Sequence, residues 1–227
     1  MKKIGIVGTG FMGATHAEAW LNTNASIYAC TSKPVDHAEP FAKKYGAKVF
    51  PDLESMLPEI DIVDICTPTH LHHEMVLSVA KAGKTIICEK PLSLTVEEGV
   101  EMIKACKKAN SKLLIGHVVR FFPEYAAARE RGLSGEIGET AIIRLSREAF
   151  QPSNAYNNWY MEHEKSGGMM QDLMIHDFDY ARWVAGDVVK VFAKNIVFST
   201  DLTPNFDHAM VILTHKNGTI SHIEGSW

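Results

Sequence analysis

Asp172 and His176 stand four residues apart in the segment GGMMQDLMIHDFD (167–179), which reads as helix, so both side chains are expected on one face. A carboxylate beside an imidazole is a proton-transfer unit: the acid fixes the ring's tautomer and stabilises its charged form. Far upstream, Glu89-Lys90-Pro91 puts a cation at the end of an apolar, strand-like run. The proline holds the residue before it extended, so Lys90 is aimed rather than floppy. A general acid/base, an orienting acid and a cation able to polarise an oxygen suit chemistry at a carbinol or carbonyl carbon.

Such residues need a scaffold, and the first residues supply one. The apolar run Lys3–Val7 leads straight into Gly8-Thr9-Gly10-Phe11-Met12-Gly13, and a helical pattern follows through Thr15–Asn22. Between strand and helix each glycine has a job: Gly8 for the tight turn, Gly10 for close approach of a pyrophosphate, Gly13 for packing of helix on strand. The helix N-terminus adds free N–H groups and a positive dipole end. Strand and helix then keep alternating. Strands are expected at Ser26–Ser32, Lys48–Phe50, Ile60–Thr67, Thr85–Glu89 and Lys112–His117, with helices at Pro34–Tyr45, Leu53–Leu57 and Leu71–Ala82, and another capped by Thr95. That pattern describes an α/β doubly wound parallel sheet, the Rossmann arrangement, over residues 1–118. Its ligand lies at the carboxyl ends of the strands, where Gly10, Thr67 and Lys90 fall.

Beyond His117 the grammar changes. A linking helix at Phe121–Arg131, a long strand at Glu139–Phe150 and a helix at Gly168–Ala185 precede strands at Val188–Ser199, Asp207–His215 and Thr219–Gly225. Lys216-Asn217-Gly218 is a hairpin turn. This is an α+β open-faced sheet domain, residues 119–227. With Trp227 closing the sequence directly after the last strand, that strand is expected to expose unpaired backbone groups and to recruit a partner.

Composition excludes several classes. In 227 residues, 23 Lys and Arg stand against 27 Asp and Glu, a net charge of −4 with no basic run, which argues against nucleic acid or an anionic membrane surface. No apolar stretch is long enough to span a bilayer, and no secretory signal is recognisable. Cys30, Cys66, Cys88 and Cys106 lack CxxC spacing and read as reduced thiols of a cytoplasmic protein.

Five motifs in order carry a resemblance: Gly8–Gly13; Thr67-Pro68-Thr69 with His72; Glu89-Lys90-Pro91; Arg120-Phe121-Phe122-Pro123; and Gly167-Gly168 followed by Asp172 and His176. The chain resembles the glucose–fructose oxidoreductase/inositol dehydrogenase/MocA family of nicotinamide-dependent sugar and polyol oxidoreductases. The resemblance implies a Rossmann domain followed by an open sheet, with a sugar or polyol between the nicotinamide and that sheet. It implies Lys90 and His176 at the reacting carbon with Asp172 in support, and a cis Lys90–Pro91 bond. It also carries over Gly8, Thr9, Gly10, Phe11, Met12, Gly13, Thr67, Pro68, Thr69, His72, Glu89, Lys90 and Arg120 as the cofactor-binding set. Family members usually add several strands beyond this point, and their outer sheet face commonly forms the oligomer interface. The second domain is therefore expected to be truncated relative to the family and to build a homo-oligomer through its sheet. The family often has a third glycine where Met169 stands.

Cofactor choice is argued from strand two. A site preferring NAD carries an acid about twenty residues after the glycine motif. Here Ser32 and Lys33 occupy that end, with no acid until Asp36, so NADP(H) is favoured over NAD(H). Hydride transfer at a secondary alcohol or ketone follows; the alternative is a dinucleotide-binding regulator or inactive fragment. Tyr156 and Trp159, in a polar-aromatic loop before the catalytic segment, face a sugar ring or anchor a surface loop. Asp179 contacts substrate hydroxyls or caps a polar edge, and His117 is a supporting or core residue. His70, His72 and His73 lack the partners of a metal site, and none is expected.

Overall fold

The computed structural model describes residues 1–152, 156–197 and 208–227, and of Tyr156 only the backbone. The chain divides into two units, Met1–Gly116 and His117–Trp227.

Short apolar runs rich in β-branched residues form the strands of the first unit: β1 (Lys2–Val7), β2 (Ala25–Thr31), β3 (Lys48–Val49), β4 (Ile62–Ile65), β5 (Thr85–Cys88) and β6 (Leu113–Ile115). All pair in parallel, in the order β3-β2-β1-β4-β5-β6. A parallel sheet needs cover on both faces. Helices α1 (Phe11–Trp20), α2 (Glu39–Tyr45), α3 (Leu53–Met56), α4 (His72–Lys81) and α5 (Val96–Lys108) accompany it. One core gathers Val63, Ile65, Val76, Val79, Ile86 and Met102; the other gathers Ile4, Ile6, Ala17, Ile27 and Phe41. The winding reverses between β1 and β4, the point where such sheets bind ligands.

Local chemistry sets the helix ends. α1 begins at Phe11, directly against Gly10. The helix expected from Pro34 opens instead as a 3-10 turn, Val35–Ala38, and becomes α-helical only at Glu39. Pro40 is the reason: lacking an N–H, it is tolerated only in a first turn. Thr95 caps α5 in a reciprocal box, its Oγ1 accepting the Glu98 N–H at 3.2 Å while Glu98 Oε2 accepts the Thr95 N–H at 3.3 Å.

The second unit holds α6 (Pro123–Ser134), β7 (Ile142–Glu148), α7 (His163–Ser166), α8 (Gly168–Asp172), α9 (Ile175–Ala185), β8 (Val188–Ile196), β9 (His208–His215) and β10 (Ile220–Ser226). The sheet order is β7-β10-β9-β8. Phe198, Ser199 and Asp207, included in the expected strands, lie outside the described residues.

Two expectations are overturned here. The last strand is not an edge: β10 pairs in parallel with β7, from Ile220↔Ile142 to Ser226↔Glu148, and antiparallel with β9 on its other side. β7 and β8 are the edges of the described sheet. Nor is Gly168–Ala185 one helix. It breaks after Asp172, where the N–H groups of Leu173 and Met174 both donate to the Met169 carbonyl, at 2.8 and 3.2 Å. Met169 and Met174 are both fully buried in the core under the sheet. Five residues along a continuous helix turn through about 500°, leaving the two side chains roughly 140° apart. The break lets both reach the sheet, and Met174 fills the hollow over Gly225, where a Cβ would collide with it.

One sheet face packs Ala209, Val211, Leu213 and Ile223 against α8 and α9. The opposite face exposes Ile142, Phe192, Met210, Ile212 and Ile220.

Candidate active site

The turn after β1 is shaped by three different constraints. Gly8 has φ +93°, and a Cβ there would strike the Cys66 carbonyl; one on Gly13 would strike the carbonyl of Gly8. These two glycines are required by the fold. Gly10 is not: a Cβ on it would meet nothing within 4 Å. The open space lies at the N-cap of α1, which has no side-chain cap and no acid in its first turn. Free amides, a positive helix end and open space together fit a pyrophosphate. Thr9 Oγ1 donates to the His37 carbonyl at 3.1 Å, tying this turn to the segment after β2. Phe11 and Lys33 are exposed and Ser32 is half-buried.

Two further turns are tied together at the carboxyl ends of β4 and β5. His72, fully buried, sets Nε2 2.9 Å from the Thr67 carbonyl and Nδ1 2.9 Å from the Pro91 carbonyl. Burial pushes its pKa down, against the opposing pull of those two carbonyls. It is a clasp between Thr67-Pro68-Thr69 and Glu89-Lys90-Pro91 rather than a metal ligand. The Lys90–Pro91 bond is cis, as the resemblance implied; so is Lys33–Pro34.

In the second unit, Asp172 is buried and ends α8, and His176 lies in the first turn of α9. They flank the Leu173–Met174 turn, and a shared face on one continuous helix does not describe them. Asp179 is taken up by Arg120, whose Nε donates to Oδ2 at 2.6 Å and whose Nη2 donates to Oδ1. His117 Nδ1 stands 3.8 Å from the same carboxylate. Deeper, Arg147 forks onto buried Asp177, Nε to Oδ2 at 2.6 Å and Nη2 to Oδ1 at 3.0 Å. Trp159 stacks on Tyr160 with ring centroids 3.9 Å apart. It sits in a 3-10 stretch, Tyr156–Met161, where Asn157 and Asn158 both have positive φ. Lys90 belongs to the first unit; Arg120, Tyr156, Trp159, Asp172 and His176 belong to the second.

Residues 2–117 match the model of an oxidoreductase family with an NAD-binding Rossmann fold, and residues 125–227 match the GFO/IDH/MocA C-terminal domain. The chain belongs to the GFO/IDH/MocA oxidoreductase family. It is 34% identical to a myo-inositol 2-dehydrogenase of Thermotoga maritima over 99% of its own length and 68% of that protein's. A solved structure of a putative myo-inositol dehydrogenase from Sinorhizobium meliloti superposes with a TM-score of 0.90 at 31% identity, covering 100% of this chain and 69% of that one. A levoglucosan dehydrogenase in complex with NADH and L-sorbose gives 0.90 at 26%, covering 100% and 67%. The chain thus spans about two thirds of the length of each. No helix among the described residues is long and apolar enough to cross a membrane.

This family member also carries a cluster that the sequence reading passed over. His16, on α1, sets Nδ1 2.9 and 3.1 Å from the two oxygens of Asp64 and Nε2 2.9 Å from Glu89 Oε1. Trp20 Nε1 donates to Asp64 Oδ2 at 2.7 Å, and Cys66 Sγ lies 3.4 Å from His16 Nδ1. Burial alone would push the imidazole down; hydrogen bonds to Asp64, Cys66 and Glu89 outweigh it and raise the pKa to about 12. Burial pushes the Cys66 thiol up to about 12 as well, so it stays protonated. The overlooked signal was Asp64 itself. A carboxylate inside IVDIC, a central parallel strand, must have a buried partner.

Proposed function

We propose that this chain is a nicotinamide-dependent oxidoreductase acting at a secondary alcohol or ketone carbon of a sugar or cyclic polyol. The observation that carries the reading is the glycine turn, closed at Gly8 and Gly13 by the fold yet open at Gly10. In this reading the dinucleotide is held by Gly8–Gly13, Ser32, Lys33 and Thr67–Thr69, whose turns His72 and Glu89 tie in place, with Lys90 beside the reacting carbon; Arg120, of residues 119–227, is counted with the cofactor-binding set. Residues 119–227 supply substrate contacts, with Tyr156 and Trp159 among them. The exposed apolar sheet face of the second unit supports self-association into a homo-oligomer.

When bound, the nicotinamide takes or gives the hydride. The chain's own residues handle the oxygen and its proton. His176 removes the hydroxyl proton as the carbon is oxidised and returns it in the reverse direction. Asp172 orients that ring and stabilises its charged form. Lys90 polarises the oxygen as charge develops. Ser32 donates to a 2′-phosphate and Lys33 neutralises it, which favours NADP(H) over NAD(H).

Purified protein titrated with each dinucleotide, then assayed against a polyol and sugar panel, tests the reading. Lys90→Ala and His176→Ala should each lower turnover roughly 10²–10⁴-fold and leave dinucleotide affinity nearly intact. Equal loss of both would make the two residues structural. Ser32→Asp should reverse the cofactor preference; tighter NADH binding by the unmodified protein overturns the strand-two argument.

A further inference from the structure

Two side chains and one backbone amide connect the helix that follows Gly10 to the lysine turn, all within the first unit. α1 starts at the open Gly10 and carries His16 six residues on. Glu89, 5% exposed, takes His16 Nε2 on Oε1 and the backbone N–H of Lys90 on Oε2 at 3.1 Å. Its carboxylate lies over Gly116, where a Cβ would approach Oε1 to 2.9 Å. Asp64, fully buried, takes the other ring nitrogen together with the indole N–H of Trp20.

We propose that His16 is a positioning residue: doubly protonated between Asp64 and Glu89, it holds Glu89 in place and so fixes the backbone that presents Lys90. The proposal rests on the oxidoreductase reading for its effect on turnover, but not for its geometry.

A bland reading is a structural ion cluster, and the same atoms could invite a metal, since His16, Asp64 and Cys66 place one ligand atom each within 4.8 Å of one another. The distances favour a proton instead. Nδ1 stands at hydrogen-bond distance from both Asp64 oxygens, so the N–H already fills the gap. Two buried carboxylates facing one ring make the doubly protonated form the one that leaves neither of them bare. What separates positioning from mere stability is direction. Glu89 spends one oxygen on His16 and the other on the amide of Lys90, the residue assigned to polarise the substrate oxygen. Loss of the Nε2 contact therefore loosens the lysine turn selectively, whereas loss of the Nδ1 contact loosens β4.

The two contacts separate by substitution. Asparagine at position 16 keeps a donor near the Nδ1 position and removes the one at Nε2; glutamine does the reverse. His16→Asn should accelerate hydrogen exchange at the Lys90 amide about tenfold, as expected for loss of roughly 1.4 kcal/mol of protection. It should lower kcat about tenfold to a hundredfold, as expected of an ångström-scale misplacement, with the KM for dinucleotide changed less than about twofold. His16→Gln should keep most of both. If His16→Asn folds poorly, His16→Asn/Glu89→Gln neutralises the carboxylate that has lost its partner and keeps an acceptor for the Lys90 N–H; it should exchange faster at that amide than Glu89→Gln alone, and equal rates overturn the proposal. Added Zn²⁺ should leave exchange at Lys90 unchanged. The proposal is overturned if the asparagine and glutamine variants behave alike, if exchange rises equally throughout the first unit, or if Zn²⁺ protects the cluster. An unmodified protein with no turnover on any substrate would sink the oxidoreductase reading instead, while the exchange measurement would still decide whether His16 fixes the lysine turn.

Discussion

The two units hold their buried charge in different ways. In the first, one imidazolium is shared by two carboxylates, Asp64 of β4 and Glu89 directly after β5. In the second, each guanidinium forks onto a carboxylate of its own: Arg147 of β7 onto Asp177, and Arg120 onto Asp179, both acids on α9. The first arrangement sits among short turns whose shape is written in local sequence, and its helices α3 and α5 carry side-chain caps. Both arrangements are long-range, spanning 48 and 73 residues of chain in the first unit and 30 and 59 in the second, but none of α6 to α9 has a side-chain cap. Side-chain caps add to the long-range pairing in the first unit; in the second the pairing acts without them. A protein built this way should answer to different mutations in its two halves.

The largest effect is expected at Arg147. Asp177 is almost completely buried, and the guanidinium that neutralises it also reaches the Tyr125 hydroxyl at 3.3 Å. Arg147→Ala leaves a buried carboxylate uncompensated and should cost about 3–5 kcal/mol. Lysine should not rescue it, because a single ammonium cannot reproduce the fork. Urea denaturation followed with hydrogen exchange should place the loss in α9, β7 and β10. A loss confined to the first unit, or one below about 1 kcal/mol, would mean that the fork is not what holds α9 to the sheet.

A pH titration sharpens the same contrast. The folded pKa of His16 is raised to about 12 from 6.5. Its contribution is then complete below about pH 6.5, where folded and unfolded chains both carry the proton. It declines as pH rises, because the unfolded chain releases its proton first, and it is gone near pH 12. Arginine pairs do not titrate in that window. Denaturation midpoints between pH 6 and 10 should therefore fall with pH more steeply in the unmodified protein than in His16→Gln, while the Arg147–Asp177 contribution stays level. Parallel slopes would show that His16 does not carry its charge into the folded state.

Legibility follows distance along the chain rather than the boundary between the units. Gly8–Gly13, the Thr95 cap and the turn at Lys216–Gly218 are each decided by residues within a few positions, and each could be read directly. The six-stranded sheet followed because parallel strands joined by helices leave few alternatives. What escaped was nonlocal. Nothing near Ile220 announces that its strand will lie beside Ile142, so β10 looked like an edge. The break after Asp172 depends on Met174 meeting Gly225, some fifty residues away. His16 escaped because its partners, Asp64 and Glu89, become neighbours only when β1, β4 and β5 line up. Even so, a buried acid in a central strand was visible and asked for a partner.

The smallest effect tests the local half of the comparison. Thr95 and Glu98 satisfy each other's backbone donors at the start of the thirteen-residue α5, whose Met102 and Cys106 pack into the sheet core. Thr95→Ala removes the acceptor for the Glu98 N–H, though water can reach that exposed end, so the loss should be about 1 kcal/mol. Glycine should be milder than alanine, because it readily adopts the extended cap conformation. The consequence should stay where the cap is: faster exchange at residues 96–99, an unchanged second unit, and an unchanged fork at Arg147. If Thr95→Ala instead loosened α9 or matched the effect of Arg147→Ala, the two halves would be a single cooperative structure, and the contrast between a capped and an uncapped unit would fail.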